Sequence, residues 1–398
     1  MRRLFLATCL ALAVPGFARA AGCGGDFGAF VAGLKAEMRA GGLSAAQADA
    51  FFRGVSQDAR VLRADRAQGV FRKDFLAFSA SVISQNRLTT GARMATKYAA
   101  VFDRAERSYG VPRGVLLAFW GLETDFGAVQ GDFSTRDALV TLAHDCRRPD
   151  LFRPQVLAAA RLSARGDFDP ARSRGAWAGE IGQVQMLPAD ILVNGVDGDG
   201  DGHVDLKGSA PDALMSGAKM IAGMGWRAGE PWMQEIIVPA DLDWRQTGLN
   251  HALPAADWAR MGVRARTGAL APGQGSVLLP MGRKGPAFMV YPNFRVLFEW
   301  NKSFVYVTSA AYFATRLEGA PRLDPRTPEP GLSADQMKAL QARLTARGHD
   351  VGKIDGILGE KTREAVQAEQ ARLGLPADAW PTAALLNRLS SARTPRWQ

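Results

Sequence analysis

Four histidines and three cysteines are all that 398 residues provide, and the cysteines do not cluster, so the ligand set of a zinc enzyme is missing. After the first twenty residues there is no long apolar run, and no further membrane-spanning segment is expected. No nucleic-acid-binding motif occurs, and nucleic acid is not expected as a partner. A disordered composition is lacking too: with 47% hydrophobic and 22% charged residues, the chain has the makings of two or more globular domains with a real core. Acidic residues are in deficit, 39 against 49 Lys and Arg, which leaves a formal charge of +10 and suits an anionic polymer by long-range attraction.

What is present begins with a charged start, Met1-Arg2-Arg3, and an apolar stretch through Val14 that is too short to cross a bilayer as a folded helix. Ala18-Arg19-Ala20 then supplies small residues in an A-x-A arrangement, so residues 1–20 read as a secretory signal peptide and the mature protein as exported to the periplasm. Cleavage removes Cys9 and leaves Cys23 and Cys146, an even pair in an oxidising compartment, for which a disulfide is the default. Lipidation of Cys23 is the competing reading, ranked second because Ala20 is a poor fit three residues before such a cysteine. Without Arg2, Arg3 and Arg19 the charge falls to +7.

Apolar residues spaced by three and four, as in Phe27–Leu34 and Phe71–Phe78, predict helices from about 27 to 163. Between about 235 and 298 the pattern turns to short β-rich pieces separated by Gly and Pro, which predicts a small β subdomain inserted in a helical one. Pro321, Pro325, Pro328 and Pro330 mark an extended linker over 319–331. Beyond it, over 332–392, Ser333-Ala334-Asp335-Gln336 forms a capping box, and apolar stripes predict three helices, a module of roughly 60 residues that can fold alone but only marginally.

The chemistry centres on Gly121-Leu122-Glu123-Thr124-Asp125-Phe126-Gly127. Pro112 suits the first turn of a helix running to about Glu123, and that helix is apolar nearly all round, so it should be buried. A carboxyl at its C-terminal end is desolvated and lies at the negative pole of the helix, and both effects raise its pKa. Such an acid suits protonation of a glycosidic oxygen. The helix pattern alone leaves a capping or ion-paired Glu equally open.

The same seven residues resemble the catalytic motif of the membrane-bound lytic murein transglycosylase B family. Further matches follow in order: Cys146-Arg147-Arg148-Pro149-Asp150-Leu151-Phe152; the stretch Trp177-Ala178-Gly179-Glu180-Ile181-Gly182-Gln183-Val184-Gln185-Met186-Leu187-Pro188; Asp197 to Gly202; then Asn293-Phe294-Arg295-Val296 and Trp300-Asn301-Lys302-Ser303. The resemblance covers about 25–318 and implies a mainly α chain: a lysozyme-like helical catalytic domain (21–318) with the small inserted β subdomain. It implies cleavage of the MurNAc–GlcNAc β-1,4 bond of peptidoglycan by one glutamate. Glu123 would give its proton to the leaving oxygen and then take one from the C6 hydroxyl of the same MurNAc, closing a 1,6-anhydro ring. A hydrolase generally needs two carboxylates; here the sugar supplies its own nucleophile. Asp125 is expected to be structural or solvent-facing, whereas Glu180, where the family usually has a small residue, could restore a two-carboxylate hydrolase. The alternatives are therefore a muramidase on the same bond or a non-catalytic cell-wall-binding protein.

Gln183 and Gln185 could hold sugar hydroxyl and acetamido groups, and Arg147 and Arg148 could bind peptide or lactyl carboxylates. Asn301 and Tyr306 match family cleft residues, Trp300 stands where a tyrosine is usual, and Ile191 replaces a tyrosine. Asp197, Asp199, Asp201, His203 through its carbonyl, and Asp205 have the spacing of a calcium loop with Gly202 at its sharp turn, but position 12 is Gly208 rather than an acid. No cofactor is required on this reading; one weakly held structural Ca2+ is the option the loop leaves open. The C-terminal module resembles the peptidoglycan-binding domain 1 family through Asp355, Gly356 and Gly359, without that family's late aromatic. The partners implied are peptidoglycan strands, with cell-wall synthesis or secretion machinery as a further class, and the chain is expected to be a monomer.

Overall fold

The computed structural model describes residues 22–67 and 73–391 of the chain. The signal peptide assigned to 1–20 lies outside these residues. Among them no helix is long and apolar enough to cross a membrane.

Helices dominate, as the apolar spacing predicts. The central one is Arg113–Thr124, buried from Gly114 through Gly121. Pro112 sits one position earlier than expected, as the extended residue that precedes the first turn. Gly114 is a packing requirement: a Cβ there would lie 2.6 Å from Cγ of Glu318 and 2.8 Å from the Ala314 carbonyl. Its absence lets the helix Phe304–Leu317, itself buried over most of its length, lie directly against Arg113–Thr124. Phe119, Trp120, Phe294, Val307 and Phe313 fill this main core. A second apolar cluster joins Phe27–Ala40 and Ala45–Phe52 to Thr135–His144 and Pro149–Arg165, with Leu34, Phe51, Leu139 and Phe152 inside. Cys23 and Cys146 are disulfide-bonded, Cα–Cα 5.2 Å, and fasten the chain start to this layer.

The inserted subdomain is one antiparallel five-stranded sheet, in the order Ala252–Pro254, Gln274–Leu278, Ala287–Val290, Met233–Ile237, Arg264–Ala265. It ends at Val290, and residues 292–298, read from sequence as part of the β region, belong to the helix Pro292–Trp300. Pro292 occupies that helix's first turn, where its missing N–H costs nothing.

Residues 320–331 form neither helix nor strand, in keeping with their prolines, yet they do not hang free. Leu323 is buried and its N–H donates to the Tyr312 hydroxyl, the Thr327 N–H donates to the Lys284 carbonyl, and Lys284 pairs with Glu329 at 2.7 Å. The segment is a strap along the β subdomain, because its backbone donors find fixed acceptors there. It leads into helices Ala334–Thr345, Glu360–Arg372 and Ala383–Ser391, which close over Leu340, Leu344, Val366 and Leu385.

Candidate active site

Glu123 occupies the last turn of the central helix. The helix stops immediately after it, because Asp125 and Phe126 turn left-handed (φ 52° and 59°) and Gly127 follows at φ 87°. Two donors converge on one oxygen of the Glu123 carboxyl: Oε1 accepts from the Tyr306 hydroxyl at 2.5 Å and from the Trp300 indole N–H at 3.0 Å. Both come from one corner of the fold. Trp300 ends the Pro292–Trp300 helix and Tyr306 lies in the first turn of Phe304–Leu317. The three-residue connection is itself pinned, since Asn301 Oδ1 accepts from the Ser303 N–H at 2.9 Å and Ser303 caps the next helix. Burial raises the pKa of Glu123; the hydrogen bonds from Tyr306 and Trp300 oppose that rise without cancelling it. Burial, followed by the charge of Glu123, pushes the Tyr306 phenol well above its ordinary value, so it serves as a donor and not as a base. Asp125 is turned to another use, accepting from Arg87 Nε at 3.0 Å.

The structure uses several of the proposed sugar-binding residues differently. Gln183 is buried, its Oε1 accepts from Trp120 Nε1 at 3.0 Å and its Nε2 donates to the Lys207 carbonyl, so its amide supports the catalytic helix from below. Its carbonyl also accepts from the Thr124 hydroxyl at 2.6 Å, which locks the residue next to Glu123. Gln185 is half-buried in a left-handed turn (φ 53°), donates to the Gly182 carbonyl and keeps its amide oxygen available. The Trp300 ring packs against Phe119, centroids 4.5 Å apart and planes tilted by 31°, and its N–H is directed to Glu123. Ile191, the residue in place of a tyrosine, is buried core.

Arg147 and Arg148 do not project as free anion ligands. Both guanidinium groups are ion-paired to Asp65, whose side chain is 1% exposed. Burial would raise the pKa of Asp65, but the two arginines outweigh burial and hold it below the ordinary carboxylate value. Asp65 was not visible as a site residue in the sequence, because it sits in the short helix Ala59–Arg66 with no motif around it. Glu180 is near enough to Glu123 to feel its charge. Its pKa is raised chiefly by burial and further by the charge of Glu123, and its Oε2 is buried with no hydrogen-bond partner.

The stretch that carries this buried carboxyl and its two donors lies within a match to a known family. Residues 26–315 match the family described as the transglycosylase SLT domain, and residues 333–389 match a putative peptidoglycan binding domain. The chain belongs to the SLT-domain transglycosylase family. Its fold is similar to the crystal structure of SltB3 from Pseudomonas aeruginosa in complex with NAG-anhNAM-pentapeptide, with a TM-score of 0.84 and 36% identity over 92% of this chain and all of that one. It is also similar to the Escherichia coli lytic transglycosylase Slt35 in complex with calcium, with a TM-score of 0.62 and 25% identity, covering 74% of this chain and 95% of that one. The membrane-bound lytic murein transglycosylase B of Escherichia coli K12 is 29% identical over 157 residues, a match spanning 39% of this chain and 43% of that relative's length.

In the Asp-rich loop, two of the residues with calcium-loop spacing converge with a carboxylate from outside that spacing. Asp197, Asp199 and Asp212 each bring a carboxylate oxygen within 4.8 Å of the others, and the side chains of Asp201, His203 and Asp205 are not in that group. The His203 ring turns to Asp167 at 3.3 Å, and Asp205 Oδ1 accepts from the Lys207 and Gly208 N–H groups. Asp212 is fully buried and accepts from the Gly198 and Asp205 N–H groups, so it braces both ends of the loop. Three converging carboxylates, one of them with a pKa raised chiefly by burial, fit a hard divalent cation. A Ser-x-x-Asp pattern at Ser209 was the sequence signal for Asp212, but it reads as a helix cap.

In the transglycosylase's C-terminal module the three residues singled out are turn-makers. Asp355 Oδ1 accepts from the Ile357 N–H, Gly356 (φ 85°) donates its N–H to Gln341, and Gly359 caps the helix Glu360–Arg372. They border a cleft of about 760 Å³ that is also lined by Lys73, Lys302 and Phe304 of the catalytic domain.

Proposed function

We propose that the protein is a peptidoglycan lytic transglycosylase that cleaves the MurNAc-β-1,4-GlcNAc bond without water and leaves 1,6-anhydro-MurNAc ends, with Glu123 as the single acid and base. The observation that carries this reading is the asymmetry of the Glu123 carboxyl: both hydrogen bonds fall on Oε1, which leaves Oε2 for the transferable proton. Burial keeps that proton on at higher pH than for an exposed glutamate, as a general acid requires. In the first half, the Oε2 proton moves to the glycosidic oxygen as the C1–O bond breaks and GlcNAc leaves. In the second, the C6 hydroxyl of the same MurNAc bonds to C1 and gives its proton to the Glu123 carboxylate. The acid is regenerated and the atoms balance with no water consumed. Tyr306 and Trp300 donate to the carboxylate that exists between the two halves.

We assign contacts with the glycan to the half-buried Gln185, Asn301 and Trp300, with Arg147 and Arg148 at its margin while they hold Asp65. The module supports retention on the same polymer through the Asp355–Gly359 turn. A calcium ion, where bound, would be held by Asp197, Asp199 and Asp212 and would brace the loop, with no part in the proton transfers. The periplasm is the proposed site of action, in the soluble form and as a monomer, with glycan strands as the partner.

Glu180 favours a second reading, a muramidase, because a second buried carboxyl with a free oxygen is what a hydrolase uses to direct water. Digestion of purified sacculi followed by mass spectrometry separates the two: 1,6-anhydro ends are expected, and reducing ends would overturn the proposal. Glu123→Gln should abolish release of either product.

A further inference from the structure

Several polar contacts join the C-terminal module to the catalytic domain, and one of the groups that makes them is a cation, Arg363, without an ion-pair partner in the described residues. Arg363, on the helix Glu360–Arg372, is half-buried with its Nε enclosed; the charge of Asp378 in the same module acts on it, but among the described residues no carboxylate lies within ion-pair distance. Its guanidinium donates to the Pro280 carbonyl at 2.6 Å and to the Leu279 carbonyl at 3.4 Å, while Nε has no partner. The rest of its stabilisation comes from aromatic faces, with Cζ 4.1 Å from the Phe304 ring centroid and 5.9 Å from that of Trp380. Burying an unpaired guanidinium is costly, and cation–π contacts offset only part of that cost. A Leu or Met would fill the space without it.

Where Arg363 points is what matters. Phe304 is the first residue of the helix whose third residue, Tyr306, donates to Glu123. On its other side Phe304 meets Phe298, ring centroids 6.4 Å apart, in the helix that ends at Trp300, the second donor to Glu123. The module reaches that second helix independently as well, through Glu360 and Arg295 at 3.6 Å. Flanking contacts hold the module in register: Gln367 Nε2 donates to the Thr247 carbonyl at 2.8 Å, and Asn250 bonds to Glu364. The module thus grips the two helix ends that carry both hydrogen-bond donors to the catalytic carboxyl.

We propose that Arg363 is a positioning residue for catalysis: from the wall-binding module it clamps Phe304 and so holds Tyr306 and Trp300 on Glu123, making the module part of the catalytic apparatus as well as an anchor. This rests on the lytic reading above. A site loosened at this corner loses geometry, and misplacement of catalytic groups by about 1 Å costs up to ~100-fold in rate. The corner is held from several sides, so the loss on removing one clamp is set at about tenfold in kcat.

The test uses the full chain and a soluble MurNAc–GlcNAc tetrasaccharide, and compares Arg363→Met with Arg363→Lys. Arg363→Met is expected to lower kcat about tenfold with KM nearly unchanged, and Arg363→Lys, which keeps the charge but not the fork, to lose less. Hydrogen–deuterium exchange over 301–308 should accelerate in the same order. An unchanged kcat, or a rise in KM alone, would overturn the proposal and leave Arg363 an anchor. Should Arg363→Met fail to fold, Arg363→Lys decides by the same two readouts. If the wild-type chain does not cut the tetrasaccharide, the lytic reading falls, and the exchange rates over 301–308 still decide whether Arg363 grips that corner.

Discussion

Tyr306→Phe isolates one hydrogen bond at the heart of the site. The ring is buried and packed, so the substitution keeps the core and removes only the hydroxyl that donates to Glu123 Oε1 at 2.5 Å. A hydrogen bond to an ionised partner is worth about 1.5–3 kcal/mol, against about 1 kcal/mol to a neutral one. Glu123 is neutral when substrate binds and negative once it has given up its proton, so the transition state loses the difference, about 0.5–2 kcal/mol. At 1.36 kcal/mol per tenfold, kcat should fall roughly 2- to 30-fold, with little change in KM. The pH profile supplies the sign. The hydroxyl stabilises the charged form, so its loss lets burial raise the Glu123 pKa further, and the alkaline limb of kcat/KM, which reports ionisation of the acid, should move to higher pH. Initial rates on solubilised peptidoglycan across pH, for both proteins, measure each quantity. An alkaline limb that moves down, or a kcat within twofold of wild type, would refute the assignment of Tyr306 as a donor to the developing carboxylate.

Two further outcomes follow from the ion clusters. Asp65→Ala leaves two guanidiniums facing a void; breaking a buried pair costs about 3–5 kcal/mol, and because the arginine side chains are 44% and 31% exposed, water recovers part of it, so about 2–3 kcal/mol is expected in urea unfolding at pH 7. The net pKa of Asp65 is depressed on folding, so its stabilisation is present above the ordinary value of 3.8 and lost as pH falls below it; the gap between the proteins should close on acidification, and a gap independent of pH would refute an ionic origin. Calcium should raise the melting temperature of the wild type, by about 1.4 kcal/mol of stability at roughly ten times Kd, and EDTA should reverse it. Asp199→Asn should blunt the calcium response with little effect on the calcium-free melting temperature, and an undiminished response would remove Asp199 from the ligand set.

Much of the fold could be read locally. The Arg113–Thr124 helix follows from an apolar surface behind a proline, the Ser333 capping box marks the first helix of the module, and the β pieces at 235–238, 276–279 and 288–291 each fall on or within a residue or two of a strand. The strap at 319–331 was read as a plain linker because prolines report backbone stiffness but not which acceptors the chain will meet. Gln183 was read as a sugar ligand because an amide suits either use, and only the position of Trp120 Nε1 decides that it is consumed within the protein.

The amino-acid sequence by itself determined that Glu123 ends a buried apolar helix, since that depends on neighbours within a turn or two, and it left a capped, an ion-paired and a hard-to-ionise acid equally open. It also determined the family, through motifs each only a few residues long. Tertiary structure alone decided what surrounds that acid. Tyr306 lies 183 residues from Glu123, Asp65 lies 82 from Arg147, and Arg363 reaches Phe304 from a different domain. Helix periodicity, caps and turns are set by interactions within a few residues and leave a trace in sequence. The partners of a buried charge are set by which helix ends meet, and no local pattern records that meeting.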